Sequence, residues 1–384
     1  MNKKTTIVAD NKIPFLKGAL EPYAEMRYLP AKEISRDAVM HADALITRTR
    51  TQCNAQLLEG TAVKFIATAT IGFDHIDDAY CKAKNIRWVN APGCNSSSVM
   101  QYIGSALLTL AKEKGFRLAE RTIGVVGVGN VGKKVASLAE VFGMKLFCCD
   151  PPRMRAEKNL KFVSMDDILA NCDIITFHVP LTKEGVDKTY HIADESLFSR
   201  MKKGTIVMNT SRGGVVNTES LKGAIKSGQI AAAVLDVWEH EPDIDRELMN
   251  MVDIATPHIA GYSADGKANG TSVCVRAVND FLGLGAPSSW YPEIPSLNYA
   301  KPLKIECSGK SFQEILYEAI LPTYEIRCDD ARFRNSPGTF EQQRNEYPLR
   351  REYPYYEINL ANANSGISSA LRNLGFTLNT STMK

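Results

Sequence analysis

Short apolar runs alternate with amphipathic segments along most of the chain, and this alternation restricts the fold more than any other feature of the sequence. Apolar runs of this length are typical of buried strands, and the segments between them have the periodicity of helices. Strands that alternate with helices form parallel sheets covered by helices on both faces. The sequence therefore predicts an α/β fold.

The alternation falls into two series, separated by a long helical segment at residues 96–114. The first series has candidate strands at residues 6–9, 44–47, 64–68 and 86–89, with helical segments at 31–41 and 74–84. The second has candidate strands at residues 122–126, 145–149, 174–178, 205–209, 232–237 and 254–256, with helical segments at 130–142, 165–170, 194–201 and 218–227. We expect two doubly wound parallel-sheet domains of the Rossmann type.

The composition changes after the second series. A helical segment at residues 272–282 can return to the first domain, and residues 283–289 have the Gly, Pro and Ser content of a linker. The pattern of the residues after this linker predicts a small α+β domain, with a strand at 303–307, a helix at 312–320 and a strand around 355–358. The expected domains are residues 1–95, completed by about 262–285, then 96–261, then 286–384.

Charge and cysteine content narrow the function classes. The net charge of the 384 residues is only +3, so neither nucleic acid nor a membrane is an expected partner. The nine cysteines are odd in number and include no Cys-x-x-Cys pair, which favours reduced thiols in a cytoplasmic protein. The six histidines lack the spacing of metal ligands, so no metal is expected. We also expect no signal peptide and no membrane-spanning segment.

A glycine-rich turn follows the first strand of the second series. Gly127 permits a tight turn, Gly129 lets the backbone approach a pyrophosphate, and Gly132 allows close packing of helix on strand. Asn130 and Val131 open the following helix, whose free N–H groups and positive dipole end attract phosphate. Glycines at this spacing are weak evidence alone, but their position between a strand and a helix predicts a dinucleotide site.

The next candidate strand ends at Asp150, where a carboxylate can accept hydrogen bonds from the adenosine ribose hydroxyls. An aspartate repels the additional phosphate of NADP, so NAD is the expected cofactor. Arg153 and Arg155 lie close by in the sequence and keep NADP as an alternative. A glycine-rich turn without a ligand is the other alternative, and the strand, the helix and Asp150 together argue against it.

Three later strands end in segments that carry side chains suited to hydroxy-acid chemistry. Arg212 can bind a carboxylate through two N–H groups. A histidine is the natural base for a hydroxyl proton, and a carboxylate beside it fixes its tautomer, so His258 and Glu241 form a candidate pair. Glu239 and His240 are close competitors, and only the Glu-Pro step favours Glu241. Each of these side chains could instead be a surface or ion-pairing residue.

The same segments resemble the D-isomer-specific 2-hydroxyacid dehydrogenase family, over about residues 40 to 285. That family has an arginine in an Asn-x-x-Arg-Gly loop, a glutamate before proline, and a histidine in Pro-His-Ile-Ala. Residues 70–75 and 91–95 match it as well. The resemblance implies NAD-dependent hydride transfer at C2 of a hydroxy acid. It implies that Arg212 binds substrate, that Glu241 tunes His258, and that His258 is the acid and base.

The resemblance also implies roles for residues outside these segments. Asp236 would face the carboxamide side of the nicotinamide, and Val179 and Gly261 would line the cofactor through their backbone. The second domain would then be the NAD-binding domain, and the first would be the substrate-binding, or catalytic, domain.

Within the family, five stretches resemble enzymes that oxidise 4-phospho-D-erythronate to 3-hydroxy-2-oxo-4-phosphobutanoate in pyridoxal phosphate biosynthesis. These stretches are residues 68–70, 91–95, 149–153, 236–238 and 258–262. By this resemblance Thr49, Thr70 and Tyr262 contact the substrate, although serine is common at the position of Thr49. Strand-end capping is the alternative for the two threonines. Arg48 is a further candidate for the substrate anion, with a surface ion pair as its alternative.

The C-terminal domain resembles the dimerisation domain of those enzymes, so a homodimer is expected. Its tyrosines suit a buried partner surface; they are Tyr347, Tyr353, Tyr355 and Tyr356. One of Arg344, Arg350 and Arg351 is predicted to reach the substrate phosphate in the partner subunit. A solvated basic face is the alternative.

Two other functions remain open from the sequence. The chain could be a phosphoglycerate or other D-2-hydroxyacid dehydrogenase, whose C-terminal domain would be regulatory. It could also be an NAD(H)-sensing binding protein of the corepressor type, which keeps the fold and the cofactor. The presence of Arg212, Glu241 and His258 together favours an enzyme.

Overall fold

The structure is a computed structural model that describes residues 5–157, 161–297 and 302–379. The described residues form two compact units, divided after residue 95, after residue 262 and after residue 297. Residues up to 95 and from 263 to 297 make the first unit, and the remaining described residues make the second. Residues 283–289, expected as a linker, lie inside the first unit, where Ala286 is buried and Trp290 packs against the core.

The first unit contains a five-stranded parallel sheet in the order β2-β1-β3-β4-β5. Its strands are β1 (Thr6–Asp10), β2 (Glu25–Leu29), β3 (Ala44–Thr47), β4 (Phe65–Thr68) and β5 (Arg87–Val89). Its short helices are α1 (Arg36–Val39), α2 (Ala55–Leu58) and α3 (Asp78–Ala83). A long helix, Ala264–Leu282, packs against β4, as the sequence suggested for a helix that returns to this domain.

The second unit contains a six-stranded parallel sheet in the order β11-β10-β9-β8-β6-β7. Its strands are β6 (Thr122–Val126), β7 (Lys145–Cys149), β8 (Ile174–Phe177), β9 (Thr205–Asn209), β10 (Ile230–Leu235) and β11 (Ile254–Ala255). Its helices are α4 (Ser96–Lys114), α5 (Asn130–Val141), α6 (Pro151–Glu157), α7 (Met165–Asn171), α8 (Glu195–Arg200), α9 (Thr218–Lys226) and α10 (Arg246–Met251), and α11 is the long helix of the first unit. The strand order reverses direction at β6, which places a ligand crevice at the carboxyl end of that strand.

The C-terminal residues of the second unit add a small domain with its own parallel sheet, in the order β12-β13-β14. The strands are β12 (Leu303–Glu306), β13 (Glu357–Ala361) and β14 (Thr377–Asn379). The helices are α12 (Phe312–Ile320), α13 (Ile326–Asn335), α14 (Phe340–Asn345) and α15 (Ser365–Leu374). The predicted α/β class, with two parallel sheets and a small C-terminal domain, is confirmed.

Helix α13 attaches the C-terminal residues to the large sheet of the same unit. Asp330 accepts a hydrogen bond of 2.8 Å from the Ala255 N–H of β11. Phe333 is fully buried, lies 6.1 Å from the Trp238 ring and packs edge-on against Phe340. The helix thereby covers the outermost strand of the sheet, whose edge would otherwise be open to pairing.

Local signals explain several element ends. Ser263 accepts a hydrogen bond from the Gly266 N–H and begins α11, and Gly283, with a φ of 62°, ends it in the left-handed conformation. Short 3-10 helices lie at Ala31–Glu33, Leu118–Glu120, Gly213–Val215, Leu321–Thr323, Pro337–Thr339 and Tyr353–Tyr355. Within the described ranges, the helices are all too short or too polar to cross a membrane.

Candidate active site

The glycine-rich turn connects β6 to α5 and has the shape of a dinucleotide cradle. Gly127 has a φ of 86°, and a Cβ there would lie 2.8 Å from the His178 carbonyl group. A Cβ at Gly132 would overlap the Gly127 carbonyl oxygen. A Cβ at Gly129 would meet nothing within 4 Å, so this side of the turn is open. The glycines at 127 and 132 are therefore required by packing, while Gly129 keeps space for a ligand beside the first turn of α5, which starts with Asn130 and Val131.

Asp150 follows β7 and lies beside this turn. Its carboxylate accepts a hydrogen bond of 2.8 Å from the Val128 N–H and one of 3.1 Å from the Arg153 N–H. The Arg153 guanidinium pairs with Glu157, and Arg155 pairs with Asp187. The two arginines that kept NADP as an alternative therefore each have a carboxylate partner.

The segment after β8 packs against the glycine-rich turn. The Val179 side chain would lie 2.8 Å from a Cβ at Gly127, so the two loops are in close contact. His178 lies within hydrogen-bonding distance of Thr176 and Thr210. Burial lowers the pKa of His178 to about 3, so this histidine is neutral at physiological pH.

The loop after β9 presents Arg212. The Asn209 side chain donates to the Arg212 carbonyl at 2.9 Å and accepts from the Ser211 N–H and hydroxyl, which fixes the loop as a small hydrogen-bonded ring. A Cβ at Gly213 would overlap the Trp238 carbonyl oxygen. The Arg212 loop thus packs directly on the loop that follows β10, and a glycine is needed where they touch.

Asp236 holds the loop that follows β11. One carboxylate oxygen accepts hydrogen bonds of 2.7 Å from the Thr256 hydroxyl and from the Ile259 N–H, and the other accepts one from the Ala260 N–H. Burial raises the pKa of this carboxyl, partly offset by the His258 charge and by these donors. The side chain is 1% exposed and binds the two backbone N–H groups that follow His258. Its predicted contact with the nicotinamide carboxamide stays a prediction.

Glu241 and His258 form a hydrogen-bonded carboxylate–imidazole pair at the carboxyl ends of β10 and β11. The Glu241 Oε2 lies 2.7 Å from the His258 Nδ1, and the Glu241 Oε1 accepts a hydrogen bond from the Trp238 N–H. Burial alone would raise the pKa of Glu241, but the charge and hydrogen bond of His258, the Trp238 N–H and the charge of Arg344 lower it below its usual value. Because Glu241 occupies Nδ1, the Nε2 of His258 is left for a substrate proton.

The two competitors of Glu241 and His258 face elsewhere. Glu239 pairs with His191 at 2.7 Å and accepts a hydrogen bond from the Thr218 N–H. His240 is exposed. The Glu-Pro step thus identified the carboxylate that contacts His258.

Residues of the C-terminal domain approach the same loop within one chain. Arg350 is 5% exposed and donates a hydrogen bond of 2.6 Å to the Ala260 carbonyl oxygen. Its guanidinium lies 4.4 Å from the Tyr324 ring centre. Arg350 thus supports the His258 loop within its own chain, and the predicted contact of one of Arg344, Arg350 and Arg351 with a partner's substrate stays a prediction. No local sequence signal connects Arg350 with a carbonyl 90 residues away.

Tyr262 and Gly261 follow the His258 loop, and both are half-buried. The Tyr262 ring packs edge-on against Tyr347 at 5.9 Å, and the Arg344 guanidinium lies 5.6 Å from the Tyr262 ring centre. Arg351 lies 4.0 Å over the Tyr355 ring. Of the four tyrosines predicted for a partner surface, Tyr353 and Tyr356 are buried in their own chain, at 1% and 8% exposure.

The candidate residues of the first unit lie at the carboxyl ends of β3 and β4. Arg48 forms an ion pair of 3.1 Å with the buried Asp10, which agrees with the alternative to substrate binding that was given for this arginine. The Thr70 hydroxyl donates to the Gly72 carbonyl and contacts the Thr68 hydroxyl at 2.9 Å. Thr49 is exposed in the turn after β3.

These features define a class: a parallel-sheet dehydrogenase that binds NAD and has a histidine–carboxylate pair beside its dinucleotide turn. In agreement, residues 103–260 match the family model of the D-isomer specific 2-hydroxyacid dehydrogenase NAD binding domain. Residues 297–375 match a domain of unknown function, DUF3410.

Curated relatives narrow the class. The erythronate-4-phosphate dehydrogenase of Bacteroides fragilis is 50% identical over 92% of this chain and 98% of its own length. That of Klebsiella pneumoniae is 40% identical over 96% and 97%. The chain therefore belongs to the erythronate-4-phosphate dehydrogenase family.

Solved structures support the fold and the cofactor. A D-lactate dehydrogenase of Aquifex aeolicus, complexed with NAD and lactic acid, is 27% identical with a TM-score of 0.60 and covers 76% of this chain and 100% of its own. An NAD-dependent formate dehydrogenase of Staphylococcus aureus, in complex with NAD, is 25% identical with a TM-score of 0.61 and the same coverage. The cofactor is NAD.

Proposed function

We propose that this chain oxidises 4-phospho-D-erythronate at C2 with NAD, and yields 3-hydroxy-2-oxo-4-phosphobutanoate for pyridoxal phosphate biosynthesis. The observation that carries the proposal is the hydrogen-bonded pair of Glu241 and His258 at the sheet edge that also bears the glycine-rich turn. The relatives named erythronate-4-phosphate dehydrogenase supply the substrate.

The residues of the turn fit the cofactor. The open space at Gly129 and the uncapped start of α5 suit a pyrophosphate, with Asn130, Val131 and Gly132 in the first turn. Asp150 has two oxygens at the end of β7 for the ribose hydroxyls, in addition to the N–H groups that it already binds. Val179, Asp236 and Gly261 are proposed as further cofactor contacts. When bound, NAD supplies the hydride acceptor.

The chemistry follows from the ordering of the site. His258 accepts the C2 hydroxyl proton at Nε2 while the C2 hydrogen leaves with its electron pair, so the C–O single bond becomes a carbonyl. Glu241 stays ionised and stabilises the imidazolium that forms, since its pKa is lowered in the folded protein. Arg212 binds the substrate carboxylate and polarises the developing carbonyl group.

Other substrate contacts are proposed from the resemblance alone. Tyr262 follows the His258 loop, and Thr49 and Thr70 offer hydroxyls at strand ends of the first unit. Arg48 would have to exchange its ion pair with Asp10 for a substrate anion, which makes it the weakest of these candidates.

NADH formation with a panel of acids tests the function. We expect 4-phospho-D-erythronate to be oxidised with a kcat/KM at least about a hundredfold above those of 3-phosphoglycerate and D-lactate, roughly 2.7 kcal/mol. A higher kcat/KM with 3-phosphoglycerate would make the chain a phosphoglycerate dehydrogenase. NAD binding without turnover of any acid would favour an NAD(H)-sensing protein.

We further propose a cytoplasmic homodimer formed through the C-terminal domain. The outer strands β12 and β14 of its small sheet offer edges of the kind that pair between subunits, and the odd, scattered cysteines favour a reducing compartment. Truncation at residue 285 would remove Phe333 and Phe340 from the core of the second unit, so the full chain is the proper sample. Sedimentation of the full chain as a monomer at micromolar concentration would contradict the dimer.

A further inference from the structure

We propose that Arg344 binds the phosphate group of the substrate, and that it does so within its own chain. The proposal rests on the function proposed above and assigns a task to the C-terminal domain: it supplies the phosphate-recognition residue of the active site. Nothing in this arrangement requires the partner subunit to provide that arginine.

The position of Arg344 is set by aromatic packing. Phe340 begins α14, is 1% exposed and anchors that helix on Phe333. The Arg344 guanidinium lies 5.7 Å from the Phe340 ring centre and 5.6 Å from that of Tyr262. Cation–π contacts with two rings favour this position of the guanidinium, and they leave N–H groups at its rim for an anion. Tyr262 follows the His258 loop directly, so this cation belongs to the neighbourhood of the proposed base.

The hydrogen bonds of Arg344 leave donor capacity for a ligand. Its Nη1 donates to Glu341 at 3.2 Å, a long contact for an ion pair. Its Nε is buried and has no hydrogen-bond partner, although the side chain as a whole is 15% exposed. A buried N–H group without a hydrogen-bond partner destabilises the protein, and a hydrogen bond to a bound anion would remove that cost.

Two other arginines of the domain are committed to structural contacts. Arg334 donates to Asp330, to the Met249 carbonyl and to the Val252 carbonyl. Arg350 donates to the Ala260 carbonyl from a buried position. The hydrogen bond of Arg344 instead goes to a carboxylate of its own helix. Arg350 also has two buried donors without a partner, Nε and Nη1, but it is only 5% exposed, whereas the Arg344 side chain is 15% exposed.

The two negatively charged groups of the substrate require a second cation in the site, in addition to Arg212. A phosphorylated hydroxy acid carries a carboxylate and a phosphate at opposite ends, and one arginine cannot bind both. Arg212 is proposed for the carboxylate, so a second cation must balance the phosphate. Arg344 also lies near enough to Glu241 to lower the pKa of that carboxyl, together with His258 and Trp238.

Arg344 therefore has one competing role, as a residue that acts only through Glu241. The two roles predict different kinetics. A contact with the phosphate, which does not react, stabilises substrate and transition state alike, so its loss raises KM and leaves kcat nearly unchanged. An effect through Glu241 would change kcat and its pH profile with little change in KM.

The test compares Arg344→Gln and Arg344→Lys with the wild-type full-length enzyme at saturating NAD. For Arg344→Gln we expect KM for 4-phospho-D-erythronate to rise at least about tenfold, with kcat within about threefold of wild type. Lysine keeps the charge but not the fork, so Arg344→Lys should recover part of the loss. Inorganic phosphate should inhibit the wild type competitively and Arg344→Gln at least about tenfold more weakly.

Arg372→Gln is the matched control, because Arg372 is an exposed arginine of the same domain on α15. Its KM should stay within about twofold of wild type. Equal thermal unfolding of the variants establishes that Arg344→Gln is folded. An unchanged KM and unchanged phosphate inhibition in folded Arg344→Gln would overturn the proposal, and so would a fall in kcat with an altered pH profile at constant KM. Failure of the wild type to oxidise the phosphorylated acid would instead overturn the proposed function.

Discussion

The two large parallel sheets of the chain share one architecture, but their strands end in different chemistry. In the second unit, the carboxyl ends lead to a glycine-rich turn, to Asp150, to Arg212, and to the pair of Glu241 and His258. In the first unit, they lead to hydroxyls and to an arginine already paired with a buried aspartate. The comparison teaches that the fold supplies loop positions, while the side chains at those positions decide whether the edge is reactive.

The contrast extends to the hydrogen bonds themselves. In the first unit, Thr70 donates to its own loop and His75 lies 3.1 Å from the Thr68 hydroxyl, so local groups satisfy each other. Burial lowers the pKa of His75 to about 4, which keeps this histidine neutral. In the second unit, Glu241 engages only one nitrogen of His258. We therefore expect the strand ends of the second unit to contribute more to catalysis than those of the first unit.

The largest expected effect is on His258. We expect His258→Asn to lower kcat by about 10²–10⁴, because the hydroxyl proton loses its acceptor. Asparagine is the proper substitution because the φ of His258 is 57° and asparagine tolerates this left-handed backbone. The matched control is His240→Asn, an exposed histidine with a φ of 59°, which should keep its activity. A near-wild-type rate of NADH formation in His258→Asn would remove the proposed base.

The next effect separates Glu241 from Glu239. Glu241→Gln should lower kcat by about 10- to 100-fold, because His258 loses the carboxylate that orients it and balances its charge. Glu239→Gln breaks a similar pair with His191 and should change kcat far less. Equal losses of kcat in the two variants would mean that the effect comes from the loop after β10 as a whole and not from the pair of Glu241 and His258.

Glu241 should also make stability depend on pH. Its folded pKa lies below the usual value of 4.5, so the ionised carboxylate contributes stability above that value and loses it as pH falls through the folded pKa. The difference in unfolding free energy between wild type and Glu241→Gln should therefore be full at neutral pH and shrink in acid. Urea unfolding at several pH values measures it, and a difference that grows in acid would contradict the account.

A smaller effect concerns cofactor choice at Asp150. The wild type should prefer NAD to NADP in kcat/KM by at least about tenfold, roughly 1.4 kcal/mol, because the carboxylate repels the additional phosphate. Asp150→Asn should reduce this ratio. Asp166→Asn, which alters a surface partner of Arg200, should leave it unchanged. Equal use of both cofactors by the wild type would implicate Arg153.

The smallest effect is expected in the first unit. Thr70→Val should raise KM only about two- to fivefold, because one neutral hydrogen bond contributes little. Thr61→Val is the control, since that hydroxyl also donates to a nearby carbonyl, that of Leu58. A loss of kcat in Thr70→Val comparable to that in His258→Asn would break the contrast between the two edges.

The sequence predicted the fold well where short apolar runs form buried strands. The strands Thr122–Val126, Lys145–Cys149 and Thr205–Asn209 have the predicted bounds, because each contains a short run made up mostly of apolar residues. Strand Glu25–Leu29 was missed, since its charged and half-buried residues give no such run. Helix Ile326–Asn335 was missed as well, because six of its ten residues are charged or polar and it docks through few apolar side chains.

The sequence predicted the candidate site residues better than it predicted the contacts that position them. The Glu-Pro step selected Glu241, and the structure places its carboxylate on His258. The donors around Asp236 are backbone N–H groups and a threonine hydroxyl, which no motif records. Arg350 was one of three arginines considered for a partner's substrate, and the structure shows that it supports the His258 loop from within the chain. Contacts over such sequence separations depend on packing, which local patterns do not encode.

The central claim is that the strand ends of the second unit carry out direct hydride transfer from C2 of the hydroxy acid to NAD. Incubation of the full-length enzyme with NAD and C2-deuterated 4-phospho-D-erythronate in ordinary water tests it, with mass spectrometry of the reduced cofactor. The account predicts that the deuterium moves to the nicotinamide ring, and that deuteration slows the reaction in a single turnover. Reduced cofactor without deuterium would contradict it.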